Sequence, residues 1–126
     1  MNAASEVLAV NQAFYDAHEQ RDLLGMAAVW DQTDQSVCIH PGWPILRGWA
    51  AIEDSWRRIF AGGGRNQFIL TNDVLIVQDD LAWVTLDENL VDGGSTGTIA
   101  ATNIYARTRA GWKLVVHHGS PVMLRV

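Results

Sequence analysis

From Val7 the apolar residues Val10, Phe14 and Ala17 recur at spacings of three and four, the period of one helical stripe, with Ser5 as its expected N-cap. A shorter helix is predicted after Asp22, carrying Leu23, Met26, Ala27 and Trp30 on one side. Ser36–His40 reads as a short strand stopped by Pro41-Gly42 and Pro44. The third helix has the clearest period, Trp49, Ile52, Trp56, Ile59 and Phe60. Its polar side offers Glu53–Arg57 and Asp54–Arg58 as i,i+4 pairs, and Gly62-Gly63-Gly64 is expected to end it. The second half alternates instead. Phe68–Val77, Leu81–Val91, Thr96–Arg107 and Trp112–Val122 are rich in β-branched and aromatic residues. Gln78-Asp79-Asp80, Asp92-Gly93-Gly94 and Ala110-Gly111 separate them, which predicts an antiparallel meander. Helices first and strands later define an α+β class, and three helices wrapped by a curved sheet suggest a cone-shaped barrel spanning residues 1–126 as one domain.

Three helices do not cover both faces of a long sheet, and both alternation sets carry apolar residues: Val84, Leu86 and Leu90 on one, Trp83 on the other. The uncovered face is expected to pair with a second copy, giving a homodimer. The 48% hydrophobic and 18% charged composition, with six tryptophans, is that of a globular domain rich in aromatic anchors. No apolar run reaches the ~20 residues that span a bilayer, and the start of the chain lacks a signal-peptide pattern, so no membrane partner and a cytoplasmic location are expected. Net charge is −5 with nine scattered Lys and Arg, which offers no footprint for nucleic acid. The single cysteine, Cys38, leaves no intramolecular disulfide and has no basic neighbour to activate it. Gly62-Gly63-Gly64-Arg65 follows a helix and lacks the ending of a phosphate loop.

The segments Val37–Pro44, Gly48–Ile52, Ala82–Thr85, Ala101–Tyr105 and Gly111–Pro121, in this order of elements, resemble the nuclear transport factor two-like superfold and within it the SnoaL-like subgroup. That superfold includes ketosteroid isomerases and polyketide cyclases, and it also hosts binding and oligomerisation modules. His40 before Pro41 stands where the isomerases carry a proton-shuttling aspartate before proline, and an imidazole is a competent shuttle. Asn103 stands where they carry an oxyanion-donating acid, and an amide donates without pKa tuning. Their other donor, a helical tyrosine, corresponds here to Phe14, with Tyr15 about 100° further around the helix. That departure argues against steroid isomerisation.

Adjacent histidines on a strand point to opposite faces, so His117 and His118 do not chelate one metal together, and no metal or other cofactor is expected. Alternation from Trp112, Leu114 and Val116 turns His118 and Ser120 toward the pocket and His117 outward, although a one-residue slip swaps them. Asp87 and Glu88 share the same ambiguity; whichever faces inward would orient a histidine and raise its pKa. Trp43, between two prolines, is placed at the pocket mouth, while Trp56 and Trp83 join Phe14, Tyr15 and Val116 as expected lining. Three functional classes remain open. The first is a cofactor-independent isomerase, cyclase or dehydratase acting by proton transfer on a small apolar carbonyl compound, with His40, Asn103 and His118 catalytic. The others are a non-catalytic binder of an apolar metabolite and an oligomerisation domain.

Overall fold

The computed structural model describes residues 2–62, 67–92 and 95–124. Its elements are α1 Ala3–Gln20, α2 Leu23–Val29, β1 Val37–Ile39, β2 Leu46–Arg47, α3 Trp49–Ala61, β3 Phe68–Gln78, β4 Leu81–Asp92, β5 Ser95–Thr108 and β6 Gly111–Pro121. The α+β order is the one the periodicities predict. Gly63, Gly64, Arg65, Gly93 and Gly94, expected in a helix stop and a hairpin turn, lie outside the described residues.

α1 begins earlier than expected. Asn2 is the N-cap, its Oδ1 accepting the Ser5 amide at 2.9 Å, so Ser5 already sits inside the first turn. Asp22 caps α2 by accepting from the Gly25 amide at 3.0 Å. A Cβ at Gly25 would lie 2.5 Å from Asp22 Oδ2, so the cap itself requires glycine there. α3 is fastened at its start: the Gly48 amide donates to the Ser36 carbonyl at 2.8 Å and the Trp49 amide to the Thr33 carbonyl at 3.0 Å. Gly48 makes this corner at φ +85, a conformation that favours glycine. The fastening holds α3 beside β1, with Ser55 and Trp56 against His40. Both expected ion pairs form on its outer side, Arg58 to Asp54 at 2.6 Å and Arg57 to Glu53 at 3.6 Å.

Strands β3 to β6 form the expected meander, and the sheet runs β2-β1-β6-β5-β4-β3. β1 joins β6 in parallel, and the two-residue β2 makes an edge that hydrophobic patterning did not reveal. Since β2 and β3 end the order without meeting, the curved sheet is open and not a closed barrel. Its inner face packs on the helices around Phe14, Met26, Trp30, Ile52, Trp56, Val84, Tyr105 and Leu114. Among the described residues no helix is long and apolar enough to cross a membrane.

Two irregularities set which side chains face inward. Between β3 and β4 the register shifts past Asn72, which adopts φ 57. Between β5 and β6, Ile104 opposes Val116 but Tyr105 opposes Leu114, so Val115 is an extra residue. Trp112 and Leu114 point inward before this bulge, and His117 is the buried residue after it. His118 and Ser120 are therefore on the outer, exposed face, which corrects the expectation that simple alternation produced.

Candidate active site

Between α1, α3 and the inner face of the sheet lies a cavity of about 240 Å³. Its polar lining is His18, His40, Glu88 and His117, set among apolar groups that include Trp43 and Phe68. Each polar group comes from a different element: His18 from the last turn of α1, His40 from the end of β1, Glu88 from β4 and His117 from β6.

His40 points inward and is buried. Its ring stands edge-on to Trp43 at 4.8 Å and to Trp56 at 4.7 Å. Ser55 donates its hydroxyl proton to the Ile52 carbonyl at 2.6 Å, so toward His40 Nε2, 2.9 Å away, it is an acceptor. That assignment puts the imidazole proton on Nε2 and leaves Nδ1 as the lone-pair nitrogen. Cys38 Sγ is 3.7 Å from Nε2 and 3.9 Å from Nδ1, a distance at which a thiol is at most a weak partner. Burial, and then the neighbouring His18, lower the His40 pKa to about 4, so the ring is neutral at pH 7. The expected elevation by a nearby carboxylate does not occur, because desolvation dominates. Burial likewise pushes the Cys38 thiol upward, consistent with an inert side chain.

A second network lies beneath the cavity floor. Asn103 Nδ2 donates to Asn11 Oδ1 at 3.0 Å and to Tyr15 Oη at 3.1 Å. Tyr105 also donates to Asn11 Oδ1, at 2.7 Å, and Tyr15 donates to Glu88 Oε2 at 2.6 Å. With its NH2 engaged, Asn103 offers only Oδ1 to His117 Nδ1, 2.5 Å away. His117 therefore carries its proton on Nδ1 and keeps Nε2 as an acceptor, with no partner for it among the described residues. Burial holds His117 well below its ordinary pKa and raises Glu88 to about 7, the Tyr15 hydrogen bond opposing the latter shift. Burial also lowers His18 to about 4.

Several expected site residues lie elsewhere. Asn103 is behind the cavity wall with its amide fully committed, so it positions His117 and has no N–H left for a ligand oxyanion. Phe14 and Trp56 are wholly buried core. Tyr15, expected to veer away, is buried with its hydroxyl on Glu88, because the helix presents both neighbours to the interior. The Asp87/Glu88 ambiguity resolves with Glu88 inside and Asp87 outside. The register puts Val116, Trp83 and Ile104 side by side on the outer face, and Asp87, His118 and Ser120 line a separate recess there of about 380 Å³. Trp43 does border the cavity. His18 and Ser55 went unnoticed in the sequence, yet His18 sits four residues after Phe14 on the apolar stripe and Ser55 three after Ile52. A polar residue on a core stripe is the signal that could have found both. Among the described residues no group of three or more metal-ligating side chains is arranged to hold an ion.

Three helices on a curved open sheet, enclosing a cavity with four titratable groups in its lining, define a fold of the NTF2-like type. Residues 7–124 match the SnoaL-like domain, and the chain belongs to that family. It is 34% identical to a candidate dehydratase of the NTF2-like family from Streptomyces avermitilis, with a TM-score of 0.89 over 97% of each chain. It is 40% identical to a candidate calcium/calmodulin-dependent protein kinase type II association domain from Thiobacillus denitrificans, TM-score 0.84, covering 91% of this chain and 94% of that one. It is also 29% identical over 119 residues to the F-box protein SKIP8 of Arabidopsis thaliana, a match covering 94% of this chain. The chain spans about half the length of that curated relative, 50%.

Proposed function

We propose that the cavity is the active site of a cofactor-independent enzyme that moves a proton on a small, mostly apolar carbonyl compound. The observation that carries this reading is the meeting of two neutral imidazoles with fixed tautomers, His40 and His117, and a carboxyl group poised at about 7, Glu88, on one cavity. His40 Nδ1 takes the proton from the carbon beside the carbonyl, whose electron pair moves toward the carbonyl oxygen. The imidazolium then returns the proton, to another carbon in an isomerisation or to a departing β-hydroxyl in a dehydration, which leaves as water. Ionised Glu88 stabilises the imidazolium in between, and the apolar walls exclude water. The likeness to the Streptomyces candidate dehydratase supports the second outcome. Trp43 covers the mouth.

The test uses 4-hydroxy-4-phenyl-2-butanone, whose dehydration to the conjugated enone is followed by ultraviolet absorption. His40→Ala should abolish turnover and change ligand affinity by less than about tenfold, since a neutral hydrogen bond is worth ~0.5–1.5 kcal/mol net. His40→Asp should restore part of the activity. Turnover retained in His40→Ala would overturn the reading.

An assembly role is compatible with this and has its own support. On the outer face Ile76, Trp83, Ile104 and Val116 lie side by side across four strands, an apolar row suited to a second copy. The likeness to the Thiobacillus association domain points the same way. Light scattering should give twice the 13.9 kDa chain mass, and a mass near 13.9 kDa at micromolar concentration would exclude the pairing.

A further inference from the structure

Among the described residues four buried side-chain nitrogens lack a hydrogen-bond partner, His18 Nδ1 and the indole nitrogens of Trp30, Trp56 and Trp112, and of these residues His18 is the one that lines the cavity. Phe14, Trp56, Phe60 and Phe68 surround it, with ring centroids 4.7 to 6.3 Å away. Its Nδ1 is buried without a partner, and the ring borders the cavity. A neutral imidazole must hold one N–H. Keeping it on Nδ1 would leave a buried donor in the aromatic box with only its own backbone carbonyl, out of hydrogen-bond geometry, as acceptor, whereas Nε2–H leaves only an unpaired acceptor and turns the donor edge to the cavity. The other polar groups of the lining are acceptors there. His40 spends its N–H on Ser55, His117 spends its own on Asn103, and Glu88 brings a carboxyl. Among the described residues of the lining there is no Lys or Arg, so a carboxylate ligand would meet Glu88 with no counter-charge from them.

Building on the ligand-cavity reading above, we propose that the cavity takes a neutral hydroxy-carbonyl compound, with His18 donating its ring N–H to the carbonyl oxygen and His117 Nε2 accepting from the hydroxyl. The volume of about 240 Å³ lies below the ~300–1,000 Å³ of drug-sized pockets, which restricts the ligand to one or two rings.

Calorimetry at pH 8, where Glu88 is ionised, tests this with four compounds on one skeleton. They are 4-hydroxy-4-phenyl-2-butanone, 4-phenyl-2-butanone without the hydroxyl, 1-phenyl-1-butanol without the carbonyl, and 4-phenylbutanoate. The hydroxy-ketone should bind about three- to tenfold tighter than either neutral analogue, and the carboxylate weakest. His18→Leu should erase the preference for the carbonyl and keep that for the hydroxyl, and His18→Gln, which retains a donor, should keep both. Should His18→Leu fail to fold, the ¹⁵N spectrum of the wild-type protein reads the same contact. The His18 Nε2 signal should move with the hydroxy-ketone and stay put with 1-phenyl-1-butanol. Equal affinities for those two compounds, a carbonyl preference that survives His18→Leu, tight binding of 4-phenylbutanoate, or no binding of any probe would overturn the assignment. The preference without turnover would remove the proton-transfer reading and leave this one standing; turnover with a preference indifferent to His18 would do the reverse.

Discussion

On the inner face of the sheet Glu88, Asn103 and His117 are buried and joined through Tyr15 and Asn11, while their chain neighbours Asp87, Thr102 and His118 line an outer recess. The two sets are of similar chemical type and differ by one residue in each strand. What separates them is desolvation. Inside, burial moves the Glu88 carboxyl to about 7, where general acid–base chemistry can use it, and keeps the imidazoles neutral at pH 7. It also favours the hydrogen-bond chain from Glu88 through Tyr15 and Asn103 to His117, because each of these groups left unpaired would cost about 1–3 kcal/mol. Outside, the recess is larger, about 380 against 240 Å³, yet its His118, Ser120, Thr85 and Asn72 are exposed to water. Size alone therefore does not single out the inner cavity; burial of groups with committed tautomers does.

The largest way to break this contrast is to insert an alanine between Val116 and His117, just beyond the β6 bulge. With the register of Val116 kept, the alanine stands opposite Asn103 and His117 moves to the outer face, which leaves Asn103 without its imidazole. Urea denaturation should show a loss on the order of 3–5 kcal/mol, with activity gone. Next comes Asn103→Leu, which leaves Asn11, Tyr15 and His117 short of a partner at once. It should cost on the order of 2–4 kcal/mol in the same measurement, whereas Thr102→Val on the outer face should stay within about 0.5 kcal/mol.

Glu88→Gln sharpens the contrast through pH. The folded carboxyl at about 7 stands above its ordinary 4.5, so its contribution to stability is whole below pH 4.5 and is lost as pH rises through about 7. His18 and His40, at about 4 against an ordinary 6.5, contribute fully above pH 6.5 and lose it as pH falls through about 4. Glu88→Gln should therefore stabilise the protein at pH 8 by on the order of 1–3 kcal/mol and leave the acid limb of the stability curve as it was. Thermal melts across pH 4–8 check both limbs.

Much of the fold was legible because the α3 stripe and the β3–β6 turns are strong local signals, and His40 stood out by its place before Pro41. The rest depended on information that patterning does not hold. Alternation carried from Trp112 misplaced His118 because one bulge at Val115 reverses every later residue of β6. Asn103 looked like a free donor because its commitment rests on Asn11 and Tyr15, 92 and 88 residues away in the chain. His18 was hidden by its own stripe, where a histidine among Phe14 and Ala17 reads as one more core position.

The central claim is that the inner groups transfer protons on a bound carbonyl compound, and isotope exchange tests it without knowledge of the natural substrate. 4-Phenyl-2-butanone in D2O exchanges the protons beside its carbonyl, and ¹H NMR follows their loss. The protein should accelerate this exchange by at least about 10²-fold, the lower range for positioned acid–base catalysis. His40→Ala should return it to the buffer rate, and His118→Ala on the outer face should leave it unchanged. Exchange at the buffer rate with the wild-type protein, or full acceleration in His40→Ala, would contradict the account.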